Sequence, residues 1–567
     1  MKILQAFIFI FFLIPSFVFA HRLVTTSEHA MVVSDQHLAS QVGLDILNQG
    51  GNAIDAAIAV GYALAVTEPC CGNIGGGGFM LIRLKNGEET FINFRESAPT
   101  QATQRNILAI IKNYPQHKGW PFVAVPGTVK GFELARKKFS TLPISALLAP
   151  AIKLAKEGFK ITPGDLYTIN LIQNKKALSP YNFSDQKNVK SIFMPNGKLP
   201  SENATLKQPG LAASLAELSN KGEASFYQGS ISKKLVKASQ ENGGFLSQKD
   251  LRDYNAELLE PIHCHYRGYD IITAPPPSSG GIILCQILKT LEAYPLSSWG
   301  WHSTSSLHAI FEAERYAFAE GNYYLGDPNF IQNPIAQLLS PEHINSIHSK
   351  MTTFYPTPSE KIDPEKTLPP QNQSNTTHYS IVDKEGNAVA VTYSLNSFFG
   401  AGVMAGDTGF FLNNQLNDFT LQPGEANVHG LKYGTSNTIS AGKRPSSSMS
   451  PTIVTKDGQL VMVLGSPGGS RIPTIVLETL LNVIDYHMNP QDAADAPRTH
   501  MQWYPDKVEY EAGSISLMNR VLLRLRGYHF EEVPWWGSMQ IITINPLTQL
   551  RAGGSDVRHS AGAARGS

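Results

Sequence analysis

A proline-rich segment at residues 362–375 divides the chain into two parts with different sequence patterns. The segment reads IDPEKTLPPQNQSN and shows no apolar periodicity, which is typical of an exposed loop. Before it, helix and strand patterns alternate, whereas after it strand hairpins alternate with apolar helices. We therefore expect an α/β sandwich in which antiparallel sheets are covered by helices.

Individual elements follow from periodicity and turn residues. Before the break, the sequence predicts helices at 38–47, 55–67 and 282–293, and strands at 79–84 and 90–94 around an Asn86-Gly87 turn. After the break it predicts strands at 378–382, 388–393, 451–455 and 460–464, then a helix at 472–486.

Composition excludes two classes of protein. Of the 567 residues, 42% are hydrophobic and only 16% are charged, which argues against a disordered chain. The 47 basic and 46 acidic residues give a net charge of +1, so the basic excess of a nucleic-acid-binding protein is missing.

The N-terminus has the pattern of a secretory signal. Lys2 precedes an apolar stretch at 7–13, and Val18 and Ala20 are small residues at the positions that a signal peptidase reads. A membrane anchor is the alternative, but the stretch is shorter than the roughly 20 residues of a span. We predict a signal peptide at 1–20, a mature chain from His21 and a periplasmic or secreted protein without a stable membrane anchor.

The four cysteines are Cys70, Cys71, Cys264 and Cys285. Their pairing does not follow from the sequence, and we expect buried thiols or one structural bridge. The strand segment His263-Cys264-His265 places two imidazoles on one face, but a third ligand is missing nearby, so a solvated face is favoured over a metal site.

Thr376 follows the proline-rich segment at the start of a predicted strand. A cut between Asn375 and Thr376 would free an N-terminal threonine, whose hydroxyl is a nucleophile and whose α-amine, with a pKa of about 7.7 to 8.0, can act as base. An ordinary strand start is one alternative interpretation, and N-glycosylation acceptors at Asn372 and Asn375, relevant only in a eukaryotic secretory pathway, are another.

Three further segments carry candidate binding groups. The glycine-rich turn at 465–470 lies between a predicted strand and a predicted helix. Its backbone N–H groups could bind an anion, or its glycines could be required only by a tight turn. Arg95 follows a strand and could grip a carboxylate or form a surface pair with Glu96. Asp418, among short polar residues, could hold an ammonium group or cap a loop.

Taken together, these segments resemble the γ-glutamyltranspeptidase family of N-terminal nucleophile hydrolases, from about Thr25 to Asp556. The segments that carry the resemblance are DAAIAVGYAL (55–64), NIGGGGFM (73–80), FRE (94–96), VPGT (125–128), PPPSSGG (275–281), YLGDP (324–328), TTHYS (376–380), KRP (443–445), SPT (450–452), GSPGGSR (465–471) and APR (496–498).

The resemblance implies an αββα sandwich and a precursor that cuts itself between Asn375 and Thr376. A large subunit, 21–375, and a small subunit, 376–567, would remain one unit. Thr376 would attack the γ-carbonyl of glutathione or another γ-glutamyl compound, and water or an amino-acid or peptide amine would then release the γ-glutamyl group. The resemblance implies no metal and no organic cofactor.

The same resemblance assigns roles to residues. Ser394 would support Thr376, and the backbone of Gly468 and Gly469 would form the oxyanion hole. The donor's α-carboxylate would be bound by Arg95 with Ser447 and Ser448. Its α-ammonium would be held by Asp418 with Asn396 and Gln415. Relatives commonly carry Thr at the position of Ser394, and some carry Tyr at that of His429 in a substrate-covering lid. A glutaryl or β-lactam acylase, a solute-binding protein and an inactive relative are the alternatives.

Overall fold

The computed structural model describes residues 22–114, 117–173, 187–362, 375–422 and 434–567. The predicted signal peptide, most of the proline-rich segment and His429 lie outside the described residues. Across the described ranges, no helix combines the length and the apolar character needed to cross a membrane.

The strands are β1 Thr25–Ser27, β2 Met31–Ser34, β3 Gly77–Arg83, β4 Glu89–Phe94, β5 Phe159–Lys160, β6 Thr205–Leu206, β7 Glu257–Leu259, β8 Ile262–Tyr266, β9 Tyr269–Thr273, β10 Asn375–Val382, β11 Ala388–Asn396, β12 Thr452–Lys456, β13 Gln459–Gly465, β14 Thr499–His500, β15 Val508–Tyr510, β16 Phe530–Glu532, β17 Gln540–Ile544, β18 Arg551–Ser555 and β19 Ala563–Gly566. Within the described residues most of them form two antiparallel seven-stranded sheets. Sheet I has the order β1-β18-β17-β13-β12-β9-β8, and sheet II has the order β19-β2-β10-β11-β3-β4-β7. Each sheet therefore contains strands from both sides of the proline-rich segment.

The helices are α1 His37–Asn48, α2 Ala53–Thr67, α3 Gln104–Ile110, α4 Thr128–Phe139, α5 Ile144–Glu157, α6 Pro163–Asn170, α7 Lys187–Phe193, α8 Pro209–Lys221, α9 Ala224–Tyr227, α10 Ser230–Glu241, α11 Gln248–Asp253, α12 Gly280–Leu291, α13 Leu296–Trp299, α14 Thr304–Tyr324, α15 Ile335–Leu338, α16 Pro341–Lys350, α17 Ile472–Ile484, α18 Pro490–Asp495 and α19 Leu517–Arg526. The helices and strands predicted from periodicity are confirmed, with ends that differ by a few residues.

The two sheets are stacked between two layers of helices. Helix α2 is apolar on all sides, and it is buried on all sides because it lies between sheet II and the helices α1, α4 and α5. Its first turn is closed by a capping box in which Asn52 and Asp55 bond to each other's backbone. Helices α12, α14 and α17 cover the opposite side, against sheet I. The fold is thus the αββα sandwich that the resemblance implied.

All four cysteines are oxidised, so the expectation of thiols or a single bridge is wrong. Cys264 of β8 is joined to Cys285 of α12. That bridge closes a loop of 21 residues and restricts the unfolded chain, which contributes about 3 kcal/mol. The neighbours Cys70 and Cys71 are also joined to each other, a pairing that closes no loop of chain.

The histidines beside Cys264 lie on the exposed face of β8, as predicted. The side chains of His263 and His265 are 43% and 79% exposed. The His263 ring contacts the carboxylates of Asp270, on the adjacent strand β9, and of Glu89, on β4 of sheet II.

Candidate active site

Strand β10 directs alternate side chains toward sheet I and toward the helices. Tyr379 and Ile381 belong to the apolar core beneath α1 and α2. The alternate residue His378 points the other way, where its ring lies against Gly465 of β13. Thr376 shares that orientation, so its hydroxyl faces the space between the two sheets.

Thr376 is held next to Ser394 by the register of β10 and β11, and it is only 5% exposed. Its Oγ1 donates a hydrogen bond to the Ser394 Oγ at 3.2 Å. The same serine oxygen accepts the backbone N–H of Asn396 at 2.7 Å. Asn396 adopts a φ of +78°, a conformation that asparagine tolerates better than most residues, and this turn ends β11 beside Thr376.

Arg95 lies directly after β4 and is 1% exposed, so the ion pair with Glu96 considered from the sequence forms at 3.6 Å but is buried rather than on the surface. Its Nη2 donates to Asp418 Oδ2 at 2.5 Å and to the Ser446 carbonyl at 3.0 Å, while Nε donates to the Pro445 carbonyl at 3.2 Å. Asn396 donates from Nδ2 to the other Asp418 oxygen at 3.1 Å. A cation and an anion are therefore fixed side by side.

These groups line one narrow cavity of about 30 Å³. Its walls consist of Arg95, Thr376, Ser394, Asn396, Gln415, Asp418, Ser446, Ser447, Ser448, Met449, Gly469, Ser470 and Ile472. We call it the donor cavity. The structure thus brings together every site residue that the sequence suggested except Gly468 and Asn375.

Gly468 lines a second, larger cavity of about 350 Å³ on another side of Thr376. We call it the second cavity, and its walls include Asp35, Glu68, Cys71, Tyr167, Phe398, Pro467, Arg471, Trp535, Trp536, Arg558 and His559. Gly468 and Gly469 have φ values of +147° and +60°, so this turn before α17 requires glycine at both positions. Thr376 therefore lies where the two cavities meet.

The loop at 275–279, directly before α12, fixes the position of the serines of the donor cavity. The backbone N–H of Ser447 donates to the Pro277 carbonyl at 3.0 Å, and that of Ser279 donates to the Ser447 carbonyl at 2.8 Å. Because both bonds use backbone groups, the position of the Ser447-Ser448 segment is fixed independently of its hydroxyls.

Two titratable groups close to the site have shifted pKa values. Burial raises the pKa of Glu96 to about 7, although the neighbouring Arg95 guanidinium opposes the shift. Burial lowers the pKa of His378 to about 3, and the imidazole bonds to the hydroxyls of Thr392 and Ser380. His378 is thus neutral and serves as a packing group rather than as a base.

Thr377, on the opposite face of β10, contacts two buried carboxyl groups. Its hydroxyl lies 2.9 Å from Asp35 Oδ2 and 2.8 Å from Glu68 Oε2. Burial raises the pKa of both acids. The single hydroxyl proton of Thr377 cannot be donated to two carboxylates at once. One of the two carboxyl groups is therefore protonated and supplies the second hydrogen bond.

The sequence suggested Glu96 only as a surface partner of Arg95, and it suggested no role for Ser446, Asp35 or Glu68. Glu96 and Ser446 are chain neighbours of Arg95 and Ser447, so adjacency was an available signal. Asp35 and Glu68 contact Thr377 from more than 300 positions away, and no local pattern marks them.

An αββα sandwich with a hydroxyl nucleophile candidate at the start of an inner strand places the protein in the class of N-terminal nucleophile hydrolases. Residues 39–566 match the family model described as γ-glutamyltranspeptidase. The chain belongs to the γ-glutamyltranspeptidase family and is an enzyme of that family.

Two relatives illustrate this membership. The glutathione hydrolase proenzyme of Pseudomonas sp. strain A14 is 47% identical over 511 residues, which cover 89% of this chain and 87% of the relative. The glutathione hydrolase proenzyme of Escherichia coli K12 is 44% identical over 535 residues, which cover 94% of this chain and 91% of the relative.

A solved structure shares nearly the whole fold. The cephalosporin acylase from Bacillus halodurans superposes with a TM-score of 0.85 at 29% identity, covering 98% of both chains. Relatives with this fold therefore include an acylase as well as glutathione hydrolases, so the acyl group must be argued from the donor cavity.

Proposed function

We propose that this enzyme is a γ-glutamyltransferase and glutathione hydrolase that uses Thr376 as its nucleophile. The observation that carries the proposal is the location of the Thr376 hydroxyl in the same cavity as the Arg95–Asp418 pair. A nucleophile beside one fixed cation and one fixed anion fits an acyl donor that ends in an amino-acid zwitterion.

The first reaction is the cut that frees Thr376. Its Oγ1 attacks the carbonyl of Asn375, the C–N bond breaks, and the amine takes up a proton as an ester forms. Water then hydrolyses the ester, which leaves a carboxylate on Asn375 and restores the threonine hydroxyl. The products are the large subunit 21–375 and the small subunit 376–567, which the shared sheets would hold together.

The second reaction repeats this chemistry on a substrate. The freed α-amine of Thr376 accepts the proton of its own hydroxyl, and Oγ1 attacks the γ-carbonyl of the donor. Backbone N–H groups of Gly468 and Gly469 would stabilise the oxyanion. The amine of the leaving group departs with a proton, and water or an acceptor amine then attacks the γ-glutamyl ester.

The donor cavity supplies recognition as well as chemistry. The Nη1 of Arg95 makes no hydrogen bond within the described residues, although it lies 3.6 Å from Glu96 Oε2. It would donate to an incoming α-carboxylate, with Ser447 and Ser448 beside it. Asp418 would receive the α-ammonium, with Asn396 and Gln415 completing that side.

A comparison of two chromogenic donors tests the proposal on the purified mature protein. γ-Glutamyl-p-nitroanilide carries the α-ammonium, and glutaryl-p-nitroanilide lacks it. We expect kcat/KM to favour the γ-glutamyl donor by about 100-fold or more, because Asp418 would otherwise stay unpaired. The Asp418→Asn variant should lose most of that preference.

Two outcomes would contradict the proposal. Equal or faster turnover of the glutaryl donor would make the protein an acylase. If neither donor were turned over, the assignment of Thr376 as a nucleophile toward acyl donors would be wrong. The predicted periplasmic or secreted location remains a separate prediction, tested by fractionation of the producing cell.

A further inference from the structure

The disulfide between Cys70 and Cys71 forms part of the wall beside the nucleophile. The two cysteines lie in the connection between α2 and β3, and Cys71 lines the second cavity together with Thr376. A disulfide between neighbours closes no loop, so it gains none of the chain-entropy stabilisation that a long loop provides. Its effect must therefore be local.

The disulfide fixes two backbone carbonyls that hold the end of β11. The Cys71 carbonyl accepts the N–H of Leu395 at 2.8 Å, and the Cys70 carbonyl accepts the N–H of Phe399 at 2.7 Å. Leu395 directly follows Ser394, whose oxygen bonds to Thr376. Opening the disulfide would allow the backbone of both cysteines to move. The movement would pass from Leu395 to Ser394, which contacts Thr376.

The chemistry of the second cavity suits a small thiol that carries a carboxylate. Arg471 and His559 place nitrogen atoms in its wall, and Trp535 offers an apolar face. The Arg471 guanidinium also bonds to Glu509, and His559 Nε2 lies 3.2 Å from a Glu68 oxygen. A Glu68 oxygen and both cysteine sulfurs lie within 4.8 Å of one another. Burial raises the pKa of Glu68, which reduces the negative charge that an approaching thiolate would meet.

We propose that the Cys70–Cys71 disulfide is a thiol-exchange site for small carboxylate-bearing thiols in the second cavity, and that its opening lowers turnover. The thiolate attacks the Cys71 sulfur, the bond between the two cysteines breaks, and the Cys70 sulfur leaves and takes up a proton. A second thiol then attacks the sulfur of the bound small molecule, which releases Cys71 as a thiol and the small molecule as its symmetrical disulfide. Two electrons pass from the two thiols to the protein.

Reduction by a phosphine tests the effect on turnover, which rests on the proposed function. The matured enzyme is treated with tris(2-carboxyethyl)phosphine under native conditions, alkylated and mapped by mass spectrometry, and γ-glutamyl-p-nitroanilide turnover is measured on the same sample. We expect alkylation of Cys70 and Cys71 together with a loss of about tenfold in kcat, restored on reoxidation.

Two double variants serve as matched controls for the reduction. The Cys264→Ser/Cys285→Ser variant should keep the full sensitivity of kcat to the phosphine, whereas the Cys70→Ser/Cys71→Ser variant should show none. A disulfide that stays closed under native conditions, or one that opens without any change in kcat, would overturn the proposal.

Single variants test the exchange itself without reference to activity. Each is incubated with the disulfide form of cysteinylglycine, and the intact mass of the fragment that contains the cysteine is measured. Cys70→Ser should gain one cysteinylglycine on Cys71, and Cys71→Ser, whose remaining cysteine does not line the cavity, should gain none. The reverse pattern, or equal reactivity, would contradict the exchange site even in a protein that turns over no γ-glutamyl donor.

Discussion

The hydroxyl oxygens of Thr376 and Ser394 lie 3.2 Å apart across the paired strands β10 and β11. The Ser394 oxygen also accepts the N–H of Asn396, which in turn bonds to Asp418. One serine oxygen therefore links the candidate nucleophile to the candidate ammonium site.

Replacement of Ser394 tests this link. Ser394→Ala removes the acceptor of both hydrogen bonds, and we expect kcat to fall by about 10- to 100-fold because the Thr376 hydroxyl loses its orientation. Ser394→Thr retains the oxygen and should stay within a few-fold of the parent. Steady-state kinetics on matured proteins provide the comparison, and equal losses in the two variants would show that the oxygen has no such role.

Replacement of Arg95 by lysine tests carboxylate recognition. Lysine keeps the charge but cannot reproduce the fork that reaches Asp418, Ser446 and a donor carboxylate together. We expect kcat/KM for γ-glutamyl-p-nitroanilide to fall by about 10- to 100-fold, mainly through KM. The donor 4-aminobutyryl-p-nitroanilide lacks the α-carboxylate, so the variant should lose little activity toward it; the same loss on both donors would argue against the assigned contact.

The buried Glu96 predicts a pH-dependent stability. Burial raises its pKa from 4.5 in the unfolded chain to about 7 in the fold, so the folded state binds the proton more tightly. This stabilisation is fully present below pH 4.5 and is lost as the pH rises to about 7, and it amounts to roughly 3 kcal/mol.

Urea unfolding of the parent and Glu96→Gln proteins measures this effect. Both should carry Thr376→Ala, so that the chain stays uncut. The unfolding free energy of the parent should decline relative to that of Glu96→Gln between pH 4.5 and about 7. A difference that is constant over this range would mean that Glu96 keeps an ordinary pKa.

The two disulfides should differ in their effect on stability. Because the Cys264–Cys285 bridge closes a loop of 21 residues, replacing both cysteines by serine should lower the unfolding free energy by about 3 kcal/mol. The same replacement at Cys70 and Cys71 should cost much less. Denaturant unfolding of the uncut chains gives both values, and similar costs would indicate that loop closure is not the cause.

Much of the fold follows from local sequence. Short-range sequence patterns predict three elements that the structure contains: the Asn86-Gly87 turn, the apolar helix α2, and the hairpin of β10 and β11. The order of the strands in the two sheets does not follow from such patterns, because pairings such as that of β2 with β10 join residues more than 300 positions apart.

The residues of the candidate site could be predicted from the sequence to a similar extent. Arg95 and the turn at Gly468 and Gly469 are marked by their positions at strand ends. Asp35 and Glu68 were not predictable, since Asp35 follows β2, Glu68 follows α2, and only their shared contact with Thr377 gives them a role. The bridge between adjacent cysteines was likewise missed, because no loop length or spacing distinguishes it.

The most direct test of the central claim is the intact mass of the purified mature protein, combined with N-terminal sequencing of its smaller fragment. We predict two polypeptides, the smaller of which begins Thr-Thr-His-Tyr at Thr376, while a Thr376→Ala protein prepared in parallel remains uncut. A single chain that stays intact on long incubation, or a fragment that begins at another residue, would contradict the central claim.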